Sequence, residues 1–232
     1  EAPVELDLEA ARVTDPYTPE AYEWCRRLNF RKYLERFEKK GTQMPKEAIP
    51  EAVQIRDLTK AEQIFSRARE QERIAFELNW QKREDGLTLT LSESGYAMTT
   101  AEQELHISLA LSETEVFDLA EGGFLTETYL LDQMKQVVEA VPFCAASDVK
   151  KILRHIGPHK KEHLFDIEIA AYLVNPLSSQ YAHEDLGRPC AALTTWKRAS
   201  VLLKQLEDTG MKKLFHEIEM PLVFTLFDME QE

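Results

Sequence analysis

The stretch that decides the fold is R-I-A-F-E-L-N-W, Arg73–Trp80. Ile74, Phe76 and Leu78 lie on one face of an extended segment and Ala75 on the other, so apolar groups occur on both faces. That pattern suits the central strand of a sheet covered on both sides. A single carboxylate, Glu77, sits in the middle. A buried carboxylate is costly unless it is hydrogen-bonded or neutralised. Glu77 is therefore either a metal ligand, the remnant of one, or a polar residue satisfied by the fold.

Working outward, a short strand is expected at Val53 to Ile55, and the capping box Thr59-Lys-Ala-Glu62 predicts a helix reaching Glu70. Four strands, 73–79, 87–92, 95–100 and 104–111, read as a meander, with Asp85-Gly86 and Ser94-Gly95 in its loops and Glu84-Asp85 as a solvated turn. Ser112-Glu-Thr-Glu115 reads as a second capping box. A helix over 126–140 and a strand over 141–145 follow, and the remainder reads as helical. Ser147 is expected to cap a helix that Gly157-Pro158 ends, and Asp166 to cap one that Asn175-Pro176 ends. Two more helices are expected over 191–208 and 211–229, the second interrupted near Met220-Pro221. Strands, helix, strand and helices in that order indicate an α/β fold with a mixed sheet.

Composition bounds the function. At 44% hydrophobic and 30% charged, the 232 residues are enough for one large globular domain with an appendage. No apolar run approaches the roughly 20 residues a membrane span needs, and the acidic start Glu-Ala-Pro-Val-Glu is not a signal peptide. Lacking an initiator Met, the chain reads as a piece of something longer. Cys25, Cys144 and Cys190 are too scattered for a disulfide framework and are expected as reduced thiols in the cytoplasm. The net charge of −13 predicts poor DNA binding by the chain alone, because phosphate must be neutralised by bases.

Several segments together resemble the bacterial family A DNA polymerases, the DNA polymerase I family. V-E-L-D-L at Val4 and E-A-Y-E-W-C-R-R-L-N-F-R-K-Y-L at Glu20 are similar to the linker that follows that family's 5′-nuclease. L-F-D-I-E-I-A-A-Y-L-V-N-P at Leu164 is similar to the family's F-D-x-x-L-A-A-Y-L-L-N-P. F-H-E-I-E-M-P-L-V-F-T-L-F-D-M-E at Phe215 is similar to the stretch leading into the polymerase domain. The resemblance implies a linker arm over residues 1–50, a 3′–5′ exonuclease domain of ribonuclease-H-like fold over 51–216, and the start of a connection to the polymerase over 217–232. It also implies packing on a polymerase domain, contact with DNA through the parent protein, and Mg²⁺ belonging to that parent.

Active members of the family carry four carboxylates, which hold two divalent cations roughly 4 Å apart. The resemblance places Glu77 and Asn79 at the first motif's two acids, Ile152 at the second motif's, and Cys190 and Thr194 at the third motif's tyrosine and acid. One carboxylate of four remains. The expectation is a vestigial exonuclease domain with no metal site, no cofactor and no hydrolysis, retained as a scaffold. The alternatives are an active nuclease using Glu77, Asp148 and Asp166, and an acidic module that docks a protein. Asp148 and Asp166 also suit helix starts. His155, His159 and His163 recur every four residues, but Gly157-Pro158 breaks that ladder. Lys150, Lys151, Arg154, Lys160 and Lys161 read as a solvated basic face.

Overall fold

Arg73–Lys82 forms β2, three residues longer than the sequence suggests, and it is buried from Ile74 to Leu78. It pairs antiparallel with β5, Gln103–Ala110, and parallel with β7, Phe143–Ala146. The computed structural model describes residues 16–27, 30, 33, 36–37, 51–82, 88–92, 95–99, 103–157, 161–177 and 190–231. Contacts divide the chain into units Glu1–Ile49 and Pro50–Glu232.

In the second unit, β1 (Val53–Ile55), β6 (Val116–Ala120) and β8 (Leu164–Asp166) complete a six-stranded sheet of order β1-β6-β5-β2-β7-β8. β5 is antiparallel to both its neighbours, and the β1–β6, β2–β7 and β7–β8 pairs are parallel. Helices cover both faces. Trp80 of β2 meets Glu127 of α3 (Glu127–Ala140) and His155 of α4 (Val149–Ile156) on one side. On the other, Arg73 bonds Trp196 and Ser200 of α6 (Ala191–Asp208). A mixed sheet so flanked is the ribonuclease-H-like architecture expected. Among the described residues β3 (Thr88–Ser92) and β4 (Gly95–Thr99) pair only with each other, so the four-strand meander is corrected: a separate two-stranded ribbon interrupts it.

Four further expectations are corrected. α2 (Leu58–Arg69) is capped by Asp57, whose extended backbone lets its carboxylate accept the Lys60 N–H at 2.9 Å; Thr59 lies within the first turn. Ser112–Glu115 opens no helix. The Ser112 hydroxyl accepts the Thr114 and Glu115 N–H groups, closing a turn that delivers the chain into β6. β8 breaks the all-helical C-terminal reading, because Leu164–Asp166 finds a parallel partner in β7. Asp148, not Ser147, caps α4, accepting the Lys151 N–H at 3.3 Å.

Asp166 caps α5 (Ile167–Val174) as expected, accepting from Glu168 and Ile169. Near the C-terminus the backbone widens into a π-turn, Phe215–Glu219, before α7, Met220–Gln231. The missing N–H of Pro221 is thus absorbed without a break. Phe215, Phe224 and Phe227 bury this last helix in the core, where Phe165 lies 4.8 Å from Phe215.

In the first unit, α1 (Pro19–Arg27) is capped by Thr18, whose hydroxyl accepts the Ala21 N–H. Residues 1–15, 41–50 and 83–87, with His159 and Lys160, lie outside the described residues, and so do the readings made on them. Among the described residues no helix is long and apolar enough to cross a membrane.

Candidate functional site

Residues directly opposite one another on paired strands share a face of the sheet. Glu77 of β2 lies opposite Ser108 of β5, which lies opposite Asp118 of β6; Asn79 lies opposite His106. One face therefore carries a polar row through an otherwise apolar core. α6 closes part of this row, with the Ala192 N–H donated to the Ser108 hydroxyl at 3.1 Å.

Glu77 is 7% exposed, and both its carboxylate oxygens are engaged by the protein. The Ser147 N–H donates to Oε1 at 3.1 Å and the Ser147 hydroxyl to Oε2 at 2.6 Å. The Thr195 hydroxyl donates to Oε1 at 2.5 Å. Ser147 follows β7 and Thr195 lies in the second turn of α6, so two segments remote in sequence converge on one carboxylate of β2. The buried carboxylate is thus satisfied by hydrogen bonding.

Beside Glu77 opens a cleft of about 190 Å³ at the carboxyl ends of β2 and β7, where open α/β sheets hold ligands. Asn79, Ser147, Asp148, Lys151 and Glu168 contribute to its lining. Trp80 and His155 form an apolar wall, their rings 4.1 Å apart. Burial holds the His155 imidazole below its ordinary pKa, and Lys151 and Arg154 add to that against Glu127. Asp148 adopts a left-handed backbone (φ 46°, ψ 60°) at the rim, a conformation Asp tolerates better than most residues.

Of the positions named from sequence, Glu77, Asn79 and Ile152 meet at this cleft. The Thr194 hydroxyl gives Glu77 no hydrogen bond; that of the next residue, Thr195, does. The Thr194 hydroxyl is buried without a hydrogen-bond partner among the described residues, and Cys190 is buried just before α6. Asp166 is fully engaged: Oδ2 accepts the Val149 N–H at 2.8 Å, while Oδ1 serves α5. Burial pushes its carboxyl up to about 6, against the pull of those three N–H groups. Its bonds therefore join the starts of α4 and α5. Lys150 and Arg154 both reach Glu230 of α7, at 2.8 and 2.6 Å. His163 lies near the Val138 carbonyl and His155 against the Trp80 ring. Among the described residues no three acid, histidine or cysteine side chains converge as a metal site would need.

The sequence reading missed a second buried polar group on the same face. His106 contacts Asp118 through Nδ1 at 3.1 Å and Glu104 through Nε2 at 2.8 Å. Arg56 joins Glu104 at 3.1 Å and the Glu121 carbonyl at 2.9 Å. Asp118 raises the His106 pKa despite the burial that opposes it, and Glu104 adds to the effect. Burial pushes Glu104 up, but the bonds from His106 and Arg56 prevail and hold it below the usual carboxylate range. The alternation Glu104, His106, Ser108 against Leu105, Ile107, Leu109 was the available signal.

No protein-family model matches the chain, and no curated protein sequence matches it. Among solved structures it is similar to the catalytic core of RRP6 from Trypanosoma brucei, at 10% identity over 76% of this chain and 53% of that one, with a TM-score of 0.47. It is also similar to Escherichia coli RNase D, an exoribonuclease involved in structured RNA processing, at 14% identity over 76% and 50%, TM-score 0.46. A third similarity is to the Nibbler EXO domain of Aedes aegypti, at 11% identity over 68% and 89%, TM-score 0.39. The chain spans about half the length of the first two. At these identities none of the three bears on the activity of this chain.

Proposed function

We propose that residues 51–216 are a 3′–5′ exonuclease-type domain that has lost two-metal hydrolysis and persists as a scaffold in a cytoplasmic protein of the DNA polymerase I family. The preceding arm corresponds to the linker after a 5′-nuclease, and residues 217–232 lead toward a polymerase domain against which this unit packs. The parent copies DNA by template-directed nucleotidyl transfer and uses Mg²⁺ in its own active site.

The observation that carries this reading is the state of Glu77. Its oxygens accept three hydrogen bonds from Ser147 and Thr195. Beside it stand an amide at Asn79 and an aliphatic branch at Ile152. A pair of dications wants several carboxylate oxygens free of other donors, and this donor set does not fit one. The alternative ligands fare no better, since Asp148 caps α4 and Asp166 caps α5 while holding Val149.

A 3′-labelled single-stranded oligonucleotide incubated with the full chain in Mg²⁺ or Mn²⁺ tests the reading. No trimming is expected. Shortening from the 3′ end that a Glu77→Ala change abolishes overturns it.

A further inference from the structure

We infer that the outward face of the C-terminal helix docks a second copy of this chain, the two helices running antiparallel. Lys212–Leu214, the π-turn Phe215–Glu219 and α7 follow one another without a break. Phe215, Met220, Val223, Phe224 and Phe227 are turned into the core. Met211, Leu214, Ile218, Leu222, Leu226 and Met229 form a second apolar stripe that is not. Leu214 is half-buried, and the other five are 37%, 56%, 45%, 41% and 67% exposed. A helix apolar all round is one that is covered all round, and apolar side chains aligned in water mark a contact surface.

The six positions are spaced 3, 4, 4, 4 and 3 apart. On a regular α-helix each step of four overshoots a full turn by about 40°. Three such steps would carry the stripe off its face. The π-turn takes more residues per turn over Phe215–Glu219 and keeps the stripe aligned.

The spacing is the same read in either direction, and that selects the occupant. A two-fold contact needs a surface that complements itself. Laid antiparallel on a second copy, Met211 meets Met229, Leu214 meets Leu226 and Ile218 meets Leu222, so each apolar position finds an apolar one. The charges agree. Asp228 comes level with Lys212 and beside Lys213, while Glu217 and Glu219 come level with Val223 and Pro221. Over the length of the stripe no acid faces an acid, whereas a parallel pair would set each acid against itself. Lys212 and Lys213 lie 3.2 and 3.7 Å from Glu207 and Glu217. Those exposed pairs contribute little, and the ammonium groups can reach a second acid. The net charge of −13 opposes self-association. At about 0.15 M salt, charges more than about 8 Å apart are largely screened, and the apolar contact prevails.

The test is sedimentation velocity of the full chain from about 1 to about 100 μM at about 0.15 M salt. A contact along one helix is small for a stable complex, so a reversible monomer–dimer equilibrium is expected within that range. Leu222→Glu combined with Leu226→Glu should abolish it, with a urea midpoint close to that of the unaltered chain because both side chains lie outside the core. Asp228→Lys should weaken the dimer severalfold, and adding Lys212→Glu and Lys213→Glu to that change should restore it. A chain that stays monomeric up to about 100 μM overturns the proposal and leaves the stripe to a different protein or a further domain. A dimer that survives the double glutamate change overturns it too, since the contact then lies elsewhere. So does a charge exchange that fails to restore association, since the helices then do not run antiparallel. None of the six residues lines the cleft beside Glu77, so these results are independent of the nuclease assay.

Discussion

Thr195 donates its hydroxyl proton to Oε1 of Glu77 at 2.5 Å, joining α6 to β2 across 118 residues of chain. Ser147 holds the same carboxylate from 70 residues away. The carboxylate is thus a clasp between the central strand and a helix packed over it.

Removing one donor tests the clasp. Thr195→Val keeps the shape of the side chain and deletes the hydroxyl. A hydrogen bond to a charged group is worth about 2 kcal/mol, and the buried acceptor it leaves adds to the loss. Urea denaturation should show a lower midpoint with an unchanged slope. A midpoint equal to that of the parent would mean the Thr195 bond contributes nothing.

His106 predicts a pH dependence with a definite sign. Asp118 raises its folded-state pKa above the unfolded value of about 6.5. The folded chain then binds more protons, so this contribution is fully present below that value and is lost as pH climbs through the folded pKa. Stability measured from pH 6 upward should decline over that window. His106→Gln should flatten the decline. An equally steep decline in that variant would place its origin elsewhere.

Cys144 is fully buried in β7, and burial pushes its thiol up to about 12. Thiolate, not thiol, attacks disulfide reagents. In the native chain at about pH 8 this cysteine should therefore stay silent to an aromatic disulfide reagent and react when urea unfolds the protein. Peptide mapping after labelling identifies which cysteine has reacted. Native-state labelling at Cys144 would contradict its placement.

Some of this was legible in the residues alone. β2 and β5 were read from their patterns, because an apolar run and an alternating run each state how many faces are covered. Asp166 was read as a cap, because a cap acts on the residues that follow it, here Glu168 and Ile169. β6 and β8 were not read. Val116–Ala120 is held between two strands and Leu164–Asp166 lies against β7, and segments of five and three residues become strands only when neighbours supply their hydrogen bonds. Ser147 and Thr195 show the same limit within the site. Local chemistry offered Ser147 as a cap, and the family resemblance offered Thr194 as the relevant threonine. The fold gave the cap to Asp148 and the bond with Glu77 to Ser147 and Thr195. Side-chain identity is written in the chain, so the single acid in β2 was known from the start. What holds that acid is a matter of distance between residues remote in sequence, and only the packing of α6 and β7 about the central strand brings them within bonding range.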